Sequence, residues 1–104
     1  MKIIELNDRL RTTFQGGRVQ MTPGVYELDP RLRGRALCAM SRYSKFDDDS
    51  EHDRGVFIFA GYSFEWGIEY RRADGDGLSP DPSDASKTFR VLTLYALYDV
   101  LNGV

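Results

Sequence analysis

The chain has 104 residues, of which 41% are hydrophobic and 12% aromatic, and a formal net charge of −2. This composition excludes a disordered chain, and the length fits one domain, residues 1–104, around a single core. With one cysteine, Cys38, no intramolecular disulfide forms, and no apolar run reaches the ~20 residues of a membrane span. Lacking a signal-peptide pattern as well, the chain is expected to be cytoplasmic, with Cys38 buried as a core residue.

Charge is distributed unevenly along the chain. Residues 1–46 carry nine Lys/Arg against four Asp/Glu, and residues 47–104 carry five against twelve. A fold that keeps the halves apart would present one basic and one acidic patch, whereas packing that interleaves them would give an ordinary mixed surface.

The first predicted element is a helix. Its apolar residues recur at intervals of three and four positions, namely Ile3, Leu6, Leu10 and Phe14. Gly16-Gly17 ends it, and residues 18–22 read as a short strand before a turn at Pro23-Gly24. Residues 25–28 are compatible with a continuation of that strand.

A second helix is predicted over residues 30–43, because Asp29-Pro30 has the form of an N-cap followed by proline at the first helical position. Three arginines align on one side of it: Arg31, Arg35 and Arg42. Guanidinium groups pair with phosphates and with carboxylates, so this ridge is a candidate partner-binding surface. The alternative is an ordinary solvated helix face.

An acidic segment follows, and it supplies the other candidate partner-binding residues: Asp47, Asp48, Asp49, Glu51, His52 and Asp53. A calcium-binding EF-hand loop starting at its first residue would need Gly and Glu where His52 and Ile58 stand. Zinc would need more Cys or His than the chain has. We therefore expect an acidic loop that caps turns, with no metal and no cofactor.

A β-hairpin is predicted next. Residues 56–60 form an apolar run in which Phe57 and Phe59 share one face, residues 62–70 alternate in hydrophobicity, and Gly61 between them suits the positive φ of a tight turn. Trp66 is expected to anchor the core. Base stacking by these aromatics is disfavoured, because Glu and Ser lie between them rather than Lys and Arg.

Residues 73–86 form a predicted loop before a final helix from about Asp84 to Leu101. That helix would be apolar nearly all round, so part of it is expected to contact another chain, a homodimer being one such arrangement. The predicted oligomer interface consists of Leu94, Tyr95, Leu97, Tyr98 and Leu101.

Three stretches carry a family resemblance: LNDRLRTTFQGGRVQMTPGV (6–25), EHDRGVFIFAGYSFEWGIEY (51–70) and SPDPSDASKTFRVLTLYALY (79–98). They resemble a bacterial family catalogued as domain of unknown function 3768, with its motifs LND.LR, T.GV, EHD.G.F, W.I.Y and SPDP…T.RVLT. The chain departs from that pattern at Gly67, where members usually carry Lys, and at Arg71-Arg72. The resemblance implies no established activity. It implies a small protein often borne on mobile elements, and makes Glu51, His52, Asp53 and Gly55 either a shared structural corner or a shared site.

Together these patterns predict an α+β domain of order α-β-α-β-β-α, with a small antiparallel sheet packed against helices. They favour a non-enzymatic protein-binding module over an enzyme. The leading hypothesis is an inhibitor of a host nucleic-acid defence complex, anti-CRISPR-like or anti-restriction, that occupies a partner surface through acidic loops or the arginine ridge. One alternative is a metal-dependent enzyme using Glu51, His52 and Asp53 with Glu65 or Glu69. The other is DNA binding through the arginine ridge, which the pI of about 5.3 disfavours.

Overall fold

The computed structural model describes residues 2–97, which form one sheet covered by helices on one face. The elements in chain order are α1 (Lys2–Thr13), β1 (Gly17–Met21), α2 (Pro23–Tyr26), α3 (Pro30–Ser41), β2 (Arg54–Phe59), β3 (Tyr62–Arg72) and β4 (Thr88–Ala96). The four strands lie in the order β1-β4-β3-β2. β1 runs parallel to β4, and the other two pairs are antiparallel. The predicted α+β class is confirmed, with a mixed sheet instead of a purely antiparallel one.

The core lies between the sheet and the helices. Successive residues of a strand point to opposite faces, and residues paired across strands share a face. Trp66 pairs with Leu94, and both are fully buried on the helix-covered face. Helices α1 and α3 contribute Leu10 and Met40 to the same core, which confirms Trp66 as a core anchor. A single helical layer therefore leaves the other face of the sheet without helices.

Local sequence signals placed three elements correctly. Helix α1 ends before Gly16-Gly17, and α3 begins at Pro30 with Asp29 at the N-cap. The β2–β3 turn is Ala60-Gly61, with φ of 53° and 82°, as a type I′ hairpin requires. Residues 23–26 form the short helix α2 rather than continuing the strand.

The predicted final helix is wrong over residues 88–96, where the chain forms strand β4. β4 lies between β1 and β3, and residues on both of its faces are buried; Leu92 is fully buried on one face and Val91 is 4% exposed on the other. A central strand of this kind has no polar alternation and resembles a helix that is apolar all round. Residues 98–101 of the predicted helix lie outside the described residues.

Cys38 also differs from expectation, because it is exposed on α3. Ala36 and Met40 face the sheet, and at 100° per residue the position between them points away from it. Within residues 2–97 no helix has the length and hydrophobicity needed to cross a membrane.

Candidate functional site

Four residues from separate motifs meet beneath α1: Asn7, Glu51, Tyr70 and Arg90, hereafter the motif network. Asn7 Nδ2 donates hydrogen bonds to the Tyr70 hydroxyl at 2.7 Å and to the Glu51 carbonyl at 3.0 Å. Arg90 Nε donates to Asn7 Oδ1 at 2.7 Å, and the Tyr70 hydroxyl donates to Glu51 Oε1 at 3.0 Å. The motif network thereby joins α1, the segment before β2, β3 and β4.

Arg90 carries a cation into the interior, with 2% of the residue exposed. Its Nη2 donates to the Pro82 carbonyl, and its Cζ lies 5.2 Å from the centre of the Tyr70 ring. Burial lowers the pKa of Arg90, while the acidic groups of Tyr70 and Glu51 raise it. A buried cation is tolerated when its donors are bonded, so these contacts hold the loop before β4 onto the sheet.

Tyr70 is kept protonated by its surroundings. Its pKa is raised to about 12, chiefly by burial; the hydrogen bond to Glu51 and the charges of Glu51 and Asp53 also raise it, whereas the hydrogen bond from Asn7 lowers it. At neutral pH the phenol is therefore a hydrogen-bond donor to Glu51 and not a base.

This shift predicts a late alkaline transition. Because the pKa of Tyr70 is higher in the folded than in the unfolded chain, its protonated phenol stabilises the fold. This contribution is fully present below the ordinary pKa of 10.0 and is lost as the pH rises towards about 12. Ultraviolet titration of tyrosinate should show an ionisation step near pH 12, and Tyr70→Phe should remove that step. The exposed Tyr62 gives the matched control, Tyr62→Phe, which should leave the late step in place. Its loss in the Tyr62 variant would contradict the assignment.

His52 is fixed beside the motif network by Asp8. His52 Nδ1 and Arg11 Nη1 each lie 2.9 Å from Asp8 Oδ1, and the imidazole stacks on Phe46 with ring centres 3.9 Å apart. Burial tends to raise the pKa of Asp8, but the hydrogen bonds with His52 and Arg11 and their charges outweigh it and lower that pKa. Asp8 therefore fastens the loop before β2 to α1.

The residues of the metal hypothesis do not converge. Glu51 bonds Tyr70, His52 pairs with Asp8, and Glu69 pairs with Arg71 at 2.9 Å. Within residues 2–97 no group of three His, Cys, Asp or Glu side chains is placed to hold a metal ion. The Glu51–Asp53 segment is also bonded to β3, since the Asp53 carbonyl accepts a hydrogen bond from the Ile68 N–H at 2.8 Å.

The three consecutive acids Asp47, Asp48 and Asp49 are all exposed. The acidic loop 73–87 connects the end of β3 to the start of β4. Its carboxylates at Asp74, Asp81 and Asp84 each accept a backbone N–H two residues later, which is the geometry of an Asx turn.

The arginine ridge lies on the outer side of α3. Arg31, Arg35 and Arg42 are exposed, and within residues 2–97 their guanidinium groups make no ion pair. Arg33, which is not part of the ridge, donates to the Tyr26 carbonyl at 2.7 Å instead. The ridge is therefore free to contact a partner.

A groove of about 520 Å³ opens between the end of α3 and the edge strand β2. Its lining, hereafter the β2–α3 surface, consists of Ala39, Arg42, Tyr43, Ser44, Lys45, Val56, Phe57 and Ile58. Val56 and Ile58 are 59% and 75% exposed. Exposed aliphatic side chains on an edge strand are unusual in a monomer, because such edges pair with other chains.

The described residues of the predicted oligomer interface do not share one surface, because residues 88–96 form a strand and not a helix. Leu94 is fully buried in the core and Tyr95 is half-buried on the opposite face of β4, while Leu97 is exposed. Tyr98 and Leu101 lie outside the described residues. The argument for this interface rested on a helix that β4 replaces.

Sequence reasoning missed Asn7, Tyr70 and Arg90 as a group, and it missed the open edge of β2. A signal for Asn7 was present, since it lies next to Leu6 and three residues before Leu10 in the apolar stripe of α1. A polar residue in that position needs buried partners.

These features define a class: a small α+β domain with one helical layer on a four-stranded mixed sheet, whose motif residues meet in a buried polar network. The chain belongs to the family described as Protein of unknown function (DUF3768), whose sequence model matches residues 21–97. No curated protein and no solved structure matches the chain.

Proposed function

We propose that the protein is a non-enzymatic binding module that acts by occupying a surface of another protein, and that the β2–α3 surface makes the contact. The observation that carries this proposal is the exposure of Val56 and Ile58 on an edge strand beside a groove. Exposed apolar side chains rimmed by polar ones mark interaction sites.

The motif network supports a structural role for the polar motif residues. Asn7, Glu51, Tyr70 and Arg90 satisfy one another across four segments of the chain. Groups that are bonded in this way hold the fold and leave recognition to the surface.

For the partner, we propose a component of a cytoplasmic nucleic-acid defence complex, which this protein inhibits. The resemblance to proteins borne on mobile elements supports this narrower proposal. The arginine ridge supports it too, because its unpaired guanidinium groups suit an acidic partner surface.

Site-specific photo-crosslinking tests the proposal. A photoreactive residue replaces Ile58 on the β2–α3 surface, and in the control it replaces Leu78, which is 80% exposed in the loop after β3. After irradiation in extract of the natural host, we expect a discrete adduct from position 58 that position 78 does not give. The Ile58 probe is also combined with Arg42→Glu, which should reduce the adduct.

Absence of an adduct at position 58, or the same adducts from both positions, would overturn the binding module. Mass spectrometry of the adduct tests the binding module and the inhibitor separately. A defence component supports the inhibitor, and a protein unrelated to nucleic-acid defence leaves the binding module but removes the inhibitor.

A further inference from the structure

The outer edge of β2 has backbone groups ready to pair. Asp53 faces β3, since its carbonyl accepts the Ile68 N–H at 2.8 Å. In an antiparallel pair every second residue faces the neighbouring strand, so Val56 and Ile58 turn their N–H and C=O groups to the other side. No strand within residues 2–97 pairs with β2 on that side.

The geometry points to β2 as the docking edge for an extended acidic segment of a partner protein, which adds to the sheet as a fifth strand. This inference rests on the proposed function and specifies what the β2–α3 surface binds. Strand addition uses main-chain hydrogen bonds for affinity and alternate side chains for specificity.

The two faces of the sheet determine the sequence of the added strand. On the face without helices, its side chains lie beside the exposed Val56 and Ile58 and are therefore aliphatic. On the helix-covered face, its side chains enter the groove, where Arg42 and Lys45 favour carboxylates. The bound segment therefore alternates aliphatic and acidic residues.

Charge favours such a partner over a second copy of this chain. The residues that line the groove include two cations and no acid. β2 itself, RGVFIF, also contains one cation and no acid. A second copy would bring to this edge a groove with the same two cations and no acid, whereas an acidic strand supplies carboxylates that pair with them.

Fluorescence anisotropy with a labelled peptide that alternates valine and glutamate tests this inference on the full chain. We expect saturable binding that salt weakens, and little binding of the valine–lysine peptide of equal length. Arg42→Glu combined with Lys45→Glu should weaken binding by about tenfold. Arg9→Glu combined with Arg18→Glu, the same change of net charge at exposed positions of α1 and of β1 on the opposite edge of the sheet, should not.

Two changes isolate the main-chain bonds. Ile58→Pro removes the N–H that points away from β3 and leaves the hydrogen bonds between β2 and β3 intact. Proline at such a position is tolerated on edge strands. The variant should weaken binding by about tenfold. N-methylation of the peptide should do the same without altering the protein, so the result holds even if the proline variant is unstable.

Equal binding of the two peptides, or full binding of the N-methylated peptide, would overturn strand addition. A dimer in sedimentation analysis that Ile58→Pro dissociates would assign the edge to a second copy and overturn the acidic segment. If position 58 crosslinks a partner but the valine–glutamate peptide does not bind, the binding module stands and the fifth strand fails. Loss of the crosslink itself removes the proposed function.

Discussion

Asn7→Ala is expected to lower the free energy of unfolding by about 3 kcal/mol. The Asn7 amide donates to Tyr70 and to the Glu51 carbonyl and accepts from Arg90, and the residue is fully buried. Alanine would leave the buried guanidinium without one acceptor and two oxygens without a donor. A buried charged group that loses its partner costs more than a neutral one.

Urea unfolding followed by the fluorescence of Trp66, the one tryptophan, measures this loss. Thr12→Ala is the control on the same helix: its exposed hydroxyl donates to the Asp8 carbonyl, and its removal should change stability by no more than about 0.5 kcal/mol. Asn7→Ala combined with Tyr70→Phe should cost less than the sum of the single changes, because the two share a hydrogen bond. Equal effects of Asn7→Ala and Thr12→Ala, or strict additivity, would show that the motif network does not stabilise the fold.

The elements that the sequence predicted well depend on neighbours in the chain. The hairpin needed only the Ala60-Gly61 turn between an apolar run and an alternating one, and α3 needed only Asp29-Pro30 and the spacing of Ala36 and Met40. Turn and cap residues act within a few positions, so a single sequence contains the necessary information.

Strand β4 was misread because its environment is not local. All nine residues of this central strand are buried or half-buried. Apolar residues therefore occur on both of its faces, Leu92 and Leu94 on one and Phe89 and Val91 on the other. The 2.0 and 3.6 periods then cannot be distinguished. A neighbour of β4 on the open face is polar: Gln20 of β1 donates a hydrogen bond to Thr93 at 3.0 Å across 73 positions of the chain.

The candidate surfaces also divide into those that depend on neighbours in the chain and those that depend on distant residues. The exposure of the arginine ridge followed from helical periodicity alone. The motif network did not, because Asn7 and Arg90 are 83 positions apart. On β2 the residues of both faces are apolar, Val56 and Ile58 on one and Phe57 on the other. Only the position of the helices shows that the first two are exposed, and only the strand order shows that their edge is open.

The second large effect is expected at Gly55, where α3 approaches β2. A Cβ at this position would lie 2.6 Å from Trp66 Nε1 and 2.6 Å from Tyr43 Cζ. Trp66 is fully buried, and Tyr43 packs edge-on against it with ring centres 5.7 Å apart. Because the added methyl group would overlap both rings and Trp66 is held in the core, Gly55→Ala should lower the free energy of unfolding by about 3 kcal/mol.

Gly34→Ala is the matched control, with the same chemical change and the opposite expected sign. Gly34 lies inside α3, and a Cβ there meets nothing within 4 Å. Alanine loses less backbone entropy than glycine when a helix forms, so Gly34→Ala should raise the free energy of unfolding by about 0.5–1 kcal/mol. Urea unfolding of both variants measures the two effects. An unchanged free energy of unfolding in Gly55→Ala would mean that the Tyr43 ring moves aside at little cost. Since Tyr43 lines the groove, such a movement should change the affinity for the valine–glutamate peptide.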